Sequence, residues 1–199
     1  MKKIAIFTAA ISFLFPFANL FPESRATAKT LDTVKVHKAK SGETVKEIAV
    51  KYGVPAQEIK ESNDDGNTKL LKGEKVIVPE SVSPQEKELL ARLVQAEAKG
   101  EPFQGKVAVA AVVLNRVKSE KFPDTIKQVI YQKQQFQPVD NGMINKPAGP
   151  DAKKAVNEAI AKDGEVTKAL FFFNPHKIKK SWLYSRPAIK DIGNHRFTM

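Results

Sequence analysis

The chain has 199 residues, with 33 lysines and arginines against 22 aspartates and glutamates, and 42% of its residues are hydrophobic. This length permits one ordinary domain or two small ones. The sequence contains no cysteine, which excludes disulfide scaffolds, thiolate metal sites and cysteine nucleophiles. The formal net charge of +11 favours an anionic partner, with nucleic acid, a membrane surface and an acidic polymer as the three classes.

Residues 1–28 have the pattern of a secretory signal peptide. Lys2 and Lys3 give a basic start, residues 4–21 are mostly apolar, and residues 26–28 form a small-x-small cleavage site. The apolar run is nearly long enough to cross a bilayer, so an uncleaved anchor is the alternative, but Pro16 and Asn19 interrupt the run. We expect cleavage after residue 28, no stable membrane span in the mature protein, and an extracellular acidic polymer rather than nucleic acid as partner.

Residues 31–80 are predicted to form a small βααβ module. Residues 34–38 alternate in period two as a strand does, and residues 41–44 supply a turn and a helix N-cap. Apolar residues at helical spacing predict a first helix from Val45 to Tyr52, which Gly53 ends. A second helix is predicted over 56–62 and a second strand over 76–78.

The motifs of this segment together resemble a LysM domain. They are S-G-E-T-V at 41–45, Y-G-V at 52–54, Asn63, K-G-E at 72–74 and V-I-V-P at 76–79. The resemblance implies binding of glycans that contain N-acetylglucosamine, mainly peptidoglycan and chitin. It assigns the binding groove to six residues: Gly42, Glu43, Thr44, Val45, Val54 and Asn63. The alternative for Gly42, Thr44 and Asn63 is that they serve turns and caps.

Residues 84–199 are predicted to form a second, larger domain that starts with a helix. Ser83 is a good N-cap, Pro84 suits the first helical position, and Glu86 completes a capping box. Apolar residues between 89 and 94 form a stripe, and Gly100 is expected to close the helix. The spacing places Glu97 on the core-facing side of this helix.

A carboxylate in that position can act as a general acid. Removal from water raises the pKa of a carboxyl group, so that it holds a proton near neutral pH and can donate it to a glycosidic oxygen. The alternatives are that Glu97 pairs with a buried arginine such as Arg116, or that the apolar stripe ends one turn earlier.

Three further helices are predicted before residue 165. Residues 105–117 are apolar on all sides and predict a central helix. Asp124 is expected to cap a helix over 125–131, and Asp151 one over 152–162. Between these helices, residues 134–150 are polar and broken by proline and glycine, and are long enough to shape the edge of a cleft.

The last stretch, residues 169–199, is rich in side chains that bind sugars. Flat apolar rings are supplied by residues 171–173, Trp182 and Tyr184, and hydrogen-bonding groups by Asn174, Ser185, Arg186 and His195. Carbohydrates stack on aromatic faces while polar groups fix their hydroxyls. The alternative for the three phenylalanines is a place in the core.

The second domain resembles the cell-wall hydrolase family of the SleB and CwlJ spore cortex-lytic enzymes. The motifs are A-E-A-K-G-E-P at 96–102, G-K-V-A-V-A-A-V-V-L-N-R at 105–116, F-P-D-T-I at 122–126, F-Q-P-V at 136–139, F-N-P at 173–175 and S-R-P at 185–187. The resemblance implies an α+β, mainly helical fold similar to lysozyme-like lytic transglycosylases, with Glu97 as the catalytic acid. It also places Gln137 at the cleft.

The reaction implied by this resemblance is cleavage of peptidoglycan strands between N-acetylmuramic acid and N-acetylglucosamine. A hydrolytic lysozyme adds a second carboxylate across the bond, for which Glu101 and Asp140 are candidates. Neither is convincing, so we predict the one-glutamate transglycosylase mechanism, without metal or cofactor.

Two alternatives come from other classes. A zinc amidase needs a histidine-rich ligand set, but His37, His176 and His195 are not closely spaced, although cortex-lytic proteins have also been described as amidases. The other alternative is a non-catalytic protein that binds wall glycan. In each case we expect a secreted protein associated with the cell wall or spore, which an accessory protein can assist.

Overall fold

The computed structural model describes residues 35–63 and 70–199, so the predicted signal peptide lies outside the described residues. Within those two ranges, no helix is both long and apolar enough to cross a membrane. The α+β class is confirmed: the described chain contains seven α-helices and five short strands.

The first module has the predicted βααβ order. It comprises β1 (Lys35–Lys38), α1 (Val45–Tyr52), α2 (Ala56–Ser62) and β2 (Lys75–Val78), and the two strands pair antiparallel with Val36 opposite Ile77. Thr44 caps α1 in a capping box with Glu47. The helix ends at Gly53, whose φ of 61° is the left-handed conformation that glycine adopts most easily.

The larger module is built around a buried helix. Its helices are α3 (Pro84–Glu97), α4 (Phe103–Val117), α5 (Ile126–Ile130), α6 (Gln137–Asp140) and α7 (Pro150–Lys162). Residues 107–113 of α4 are all buried, and α3 and α7 pack against that helix. The prediction of a central helix is therefore confirmed, although α4 begins two residues earlier than Gly105.

The two predicted aspartate caps are wrong. Thr125 caps α5, because its side chain accepts a hydrogen bond from the backbone N–H of Gln128. Gly149 precedes α7, whose first residue is Pro150, and Asp151 lies in the first turn instead. A carboxylate there still interacts favourably with the positive end of the helix dipole.

A three-stranded antiparallel sheet completes the larger module. Its strands are β3 (Phe171–Phe173), β4 (Ala188–Ile192) and β5 (His195–Thr198), with β5 in the centre. Phe173 lies opposite Arg196 in the pairing of β3 with β5. Phe173 and Phe197 are buried, whereas Phe171 and Phe172 are only partly buried.

The first module packs on α7 and is also hydrogen-bonded to α3, which carries Lys87. Lys87 Nζ donates a hydrogen bond to the carbonyl of Tyr52 at 2.9 Å, and Asn157 Nδ2 donates to the carbonyl of Lys51 at 3.4 Å. These carbonyls lie in the last turn of α1, where intrahelical partners are missing. A Cβ on Gly53 would lie 2.8 Å from Asn157 Cγ. The close approach of the two modules thus requires glycine at position 53.

Candidate active site

Glu97 is the last residue of α3 and is partly buried. Burial raises the pKa of its carboxyl group to about 7, while the positive charge of Lys177 opposes this rise. Among the described residues, no ion pair within 4 Å involves the carboxylate. A carboxyl group with a pKa near neutral pH is protonated in a large fraction of the molecules and can both give and take a proton.

Arg116 does not pair with Glu97, so that alternative is wrong. Its Nε donates to the carbonyl of Leu170 at 2.8 Å and an Nη donates to Gln135 Oε1 at 3.1 Å. The guanidinium lies 4.9 to 5.3 Å from the ring centroids of three phenylalanines, which are Phe122, Phe136 and Phe171. Burial lowers the pKa of Arg116 to about 10. This arginine therefore organises an aromatic cluster.

Glu101, a candidate second carboxylate, has a structural role. Its two carboxylate oxygens accept hydrogen bonds from the backbone N–H of Asn194 at 2.8 Å and from Asn194 Nδ2 at 3.0 Å. Burial alone would raise the pKa of Glu101, but the hydrogen bonds from Asn194 outweigh it and the pKa is lowered. Glu101 thus ties the turn between β4 and β5 to the loop that follows α3.

Gly193 makes that contact possible. Its φ is 59°, and a Cβ at this position would overlap Glu101 Oε2 and lie 2.7 Å from Pro102 Cδ.

Asp140, the other candidate for a second carboxylate, is exposed at the end of α6. Glu101 is buried but its carboxylate is bound by Asn194, and Asp140 is exposed, which favours a site with one catalytic carboxyl group.

Asn174 and Tyr184, both predicted to bind sugar, fix a turn over residues 174–178. Asn174 Oδ1 accepts hydrogen bonds from the backbone N–H groups of His176 at 2.9 Å and Lys177 at 3.3 Å. Tyr184 Oη donates to the carbonyl of Ile178 at 2.7 Å. The turn carries Lys177, which acts on the charge of Glu97. Sequence reasoning missed Lys177, although it lies in a basic run directly after the Asn-Pro motif.

Trp182 presents the most exposed aromatic ring of the predicted set. It is 57% exposed, and its ring centroid lies 5.2 Å from that of Phe171 in an edge-on arrangement. The guanidinium of Arg186 lies 4.8 Å from the Trp182 centroid, and Ser185 Oγ donates to the Trp182 carbonyl at 2.7 Å. Arg186 and Ser185 thus hold a ring that can stack on a sugar.

His195 and Gln137 occupy different surroundings. His195 is only 8% exposed and its ring centroid lies 5.1 Å from that of Phe172; burial lowers its pKa. The buried imidazole thus packs against the rings of Phe172 and Phe197. Gln137 is exposed at the first position of α6.

In the first module, three of the predicted groove residues have polar structural roles. Thr44 caps α1. Asn63 Oδ1 accepts from the backbone N–H of Ile77 at 2.7 Å, while its Nδ2 donates to the carbonyls of Ile59 and Ile77. The Glu43 carboxylate accepts a hydrogen bond from His37 Nε2 at 2.8 Å, which with the backbone N–H of Lys40 lowers the pKa of Glu43.

The other three predicted groove residues shape the backbone and core of the module. Gly42 has a φ of 75° in the turn before α1. Val45 and Val54 are buried in the core of the module. The first loop and α2 are therefore held rigidly by the residues that the LysM resemblance singled out.

Two family models match the chain. The model described as LysM domain matches residues 37–79, and the model described as Cell Wall Hydrolase matches residues 100–198. The second range begins just after Glu97, so the assignment of Glu97 rests on its position and burial.

Curated relatives carry related names. The spore cortex-lytic enzyme of Oceanobacillus iheyensis is 43% identical over 122 residues, which are 61% of this chain and 44% of the relative. The cell wall hydrolase CwlJ of Bacillus subtilis is 30% identical over 118 residues, which are 55% of this chain and 82% of that protein. The chain thus spans less than half the length of this spore cortex-lytic enzyme.

Two solved structures are similar to the larger module. The catalytic domain of the germination-specific lytic transglycosylase SleB from Bacillus anthracis is 42% identical, with a TM-score of 0.56, and the match covers 61% of this chain and 100% of that chain. The catalytic domain of the Bacillus cereus SleB protein is also 42% identical, with a TM-score of 0.55, over 61% of this chain and 95% of that chain. With its partly buried Glu97, its β3–β5 sheet and these matches, the chain belongs to the cell wall hydrolase family and carries a LysM domain before the hydrolase domain.

Proposed function

We propose that this protein is a peptidoglycan-lytic transglycosylase that cleaves the bond between N-acetylmuramic acid and N-acetylglucosamine, with Glu97 as general acid and base. The observation that carries the proposal is the partly buried carboxyl group of Glu97, whose pKa is raised to about 7. The similarity of the larger module to the Bacillus anthracis protein, a germination-specific lytic transglycosylase, supports the same reaction class.

The reaction needs one carboxyl group and no water. Protonated Glu97 gives its proton to the glycosidic oxygen as the bond from that oxygen to the muramyl C1 breaks. The resulting carboxylate takes the proton of the muramyl 6-hydroxyl, whose oxygen bonds to C1 and leaves a 1,6-anhydro end. Glu97 finishes protonated, as it began.

The surroundings of Glu97 suit both steps. Burial favours the protonated form before the reaction, and the positive charge of Lys177 stabilises the carboxylate that forms during it. The carboxylate of Glu101 accepts two hydrogen bonds from Asn194, and in this way Glu101 holds the sheet beside α3. Trp182 is proposed to stack on a sugar ring, with Gln137 and Arg186 at the edges of the same cleft.

The LysM module is proposed to hold the same polymer. We take 1–28 as a signal peptide, 31–80 as the LysM domain and 84–199 as the hydrolase domain. The proposed partner is peptidoglycan in the cell wall or spore, and the proposed route there is secretion. Because the LysM module docks on α3 through Lys87 and on α7 through Asn157, it would present a bound strand to the hydrolase domain in a fixed orientation.

Product analysis tests the proposed reaction. Vegetative and cortex peptidoglycan are digested in parallel, and the released muropeptides are analysed by mass spectrometry. We expect products with 1,6-anhydro muramyl ends. Reducing muramyl ends would instead indicate hydrolysis by water, freed peptides would indicate an amidase, and the absence of products from both polymers would indicate a non-catalytic glycan-binding protein.

The pH dependence of cleavage should report the titration of Glu97. Because Glu97 must be protonated to start the reaction, we expect kcat/KM to fall about tenfold per pH unit above a pKa of about 7. In Lys177→Met this fall should move to higher pH, because the positive charge that lowers the pKa of Glu97 is removed. Lys127→Met, which changes an exposed lysine on α5, is the control and should leave the profile in place. If Lys177→Met and the wild-type chain had the same pH profile, the fall in kcat/KM could not be assigned to a Glu97 carboxyl group whose pKa is lowered by Lys177.

A further inference from the structure

A mostly basic run of exposed residues follows the Asn-Pro pair at the end of β3. Residues 176–180 read His-Lys-Ile-Lys-Lys, and all five are exposed. In the described part of the chain, none of the three lysines forms an ion pair within 4 Å. With three lysines that form no such ion pair, this run is a binding surface for an anion.

The pairing of β3 with β5 places this run beside the catalytic helix. Phe173 lies opposite Arg196, so the chain leaves the sheet next to His195. Asn194, the residue before His195, donates hydrogen bonds to both carboxylate oxygens of Glu101. Glu101 in turn follows Glu97 by only four positions. The charge of Lys177 accordingly acts on Glu97, Glu101 and His195.

The turn that begins the run is held in place. Asn174 Oδ1 accepts hydrogen bonds from two of its backbone N–H groups, and Tyr184 Oη donates to the Ile178 carbonyl. The backbone is therefore fixed as far as Ile178, and Lys179 and Lys180 follow directly after it, so less of the segment has to become ordered when an anion binds.

We propose that Lys179 and Lys180 bind the acidic stem peptide of the muramyl residue at the cleaved bond, so that the protein prefers peptide-bearing over peptide-free glycan. This proposal rests on the proposed function, because that function places a muramyl residue at Glu97. The stem peptide carries its carboxylates on a short chain attached to the lactyl group of that sugar. Wall polyphosphates are attached at sparse positions along the glycan, so the stem peptide is the anion that always lies near the muramyl residue that bears it.

Binding rather than cleavage gives the decisive measurement. Uncross-linked glycan strands are prepared with their peptides and after removal of the peptides by an amidase, and the affinity of the full chain carrying Glu97→Gln is measured for both by calorimetry. The double variant Lys179→Ala/Lys180→Ala is compared with Lys127→Ala/Lys168→Ala, which removes the same charge from exposed lysines elsewhere.

We expect the ratio of the two affinities to fall about three- to tenfold in the Lys179/Lys180 variant, since exposed charge pairs contribute modestly, and to stay constant in the control. Salt at about 0.5 M should remove the preference by screening. An unchanged ratio, or an equal fall in the control, would overturn the proposal. So would tighter binding of purified teichoic acid than of peptide-bearing glycan through the same two lysines.

The outcome separates this proposal from the proposed function. A peptide preference lost in the Lys179/Lys180 variant, together with no cleavage by the wild-type chain, would support the peptide site and reject the transglycosylase. Cleavage with 1,6-anhydro products but no peptide preference would support the transglycosylase and reject the peptide site.

Discussion

The Glu97→Gln variant should cleave peptidoglycan strands about 10²- to 10⁴-fold more slowly than the wild-type chain, the range that general acid–base catalysis contributes. The amide has nearly the same shape but can neither donate a proton to the glycosidic oxygen nor accept one from the 6-hydroxyl. Release of soluble muropeptides, followed by chromatography, measures the rate. Glu120→Gln changes an exposed glutamate and serves as the control, which should retain full activity.

The same variant should be more stable than the wild type at about pH 8. Burial raises the pKa of Glu97 from 4.5 to about 7, so the folded chain holds this proton more tightly than the unfolded chain, and stability falls as pH rises through that interval. One pKa unit corresponds to about 1.4 kcal/mol, and partial exposure reduces the effect, so we expect a gain of about 1–3 kcal/mol.

Urea denaturation at about pH 4 and pH 8 separates this effect from packing. The gain in the free energy of unfolding of Glu97→Gln over the wild type should be largest at the higher pH. It should nearly vanish at the lower pH, where Glu97 is mostly protonated in both the folded and the unfolded chain. A variant that is slow but gains no stability at pH 8 would argue against burial as the origin of the raised pKa. Cleavage above one tenth of the wild-type rate would argue against Glu97 as the acid.

Gly193→Ala should destabilise the hydrolase domain by about 3 kcal/mol, because it combines backbone strain with loss of charged hydrogen bonds. The new Cβ would lie 2.7 Å from Pro102 Cδ and overlap Glu101 Oε2. Glu101 would have to release Asn194, and the turn that carries the start of β5 would shift away from α3. We therefore also expect slower cleavage, although residue 193 makes no contact with the reacting atoms.

Gly142→Ala is a matched control for the strain alone. Gly142 also has a positive φ, 75°, but a Cβ there meets no atom closer than 4.0 Å. Its cost should be about 1–2 kcal/mol, with cleavage preserved. Thermal unfolding and muropeptide release on both variants distinguish the two contributions. Equal losses in both would show that the contact between Gly193 and Glu101 is unimportant.

The sequence by itself determined the local features of this protein. Helical periodicity placed Glu97 on the inner face of α3, because residues three or four positions apart lie on the same face of a helix. The cap at Thr44, the glycine at 53 and the all-apolar α4 were predictable for the same reason: each depends on neighbours within a few positions.

The tertiary structure decided everything that joins distant parts of the chain. Glu101 and Asn194 are 93 positions apart, so a carboxylate that looks like a second acid in sequence is a tie between loop and sheet. The charge of Lys177 acts on Glu97 because β3 pairs with β5, and three-residue strands have no pattern strong enough to predict. The docking of Gly53 against Asn157 likewise follows from the packing of α1 on α7. Hydrogen bonds and charge interactions of this kind depend on distance in space, which sequence spacing does not encode.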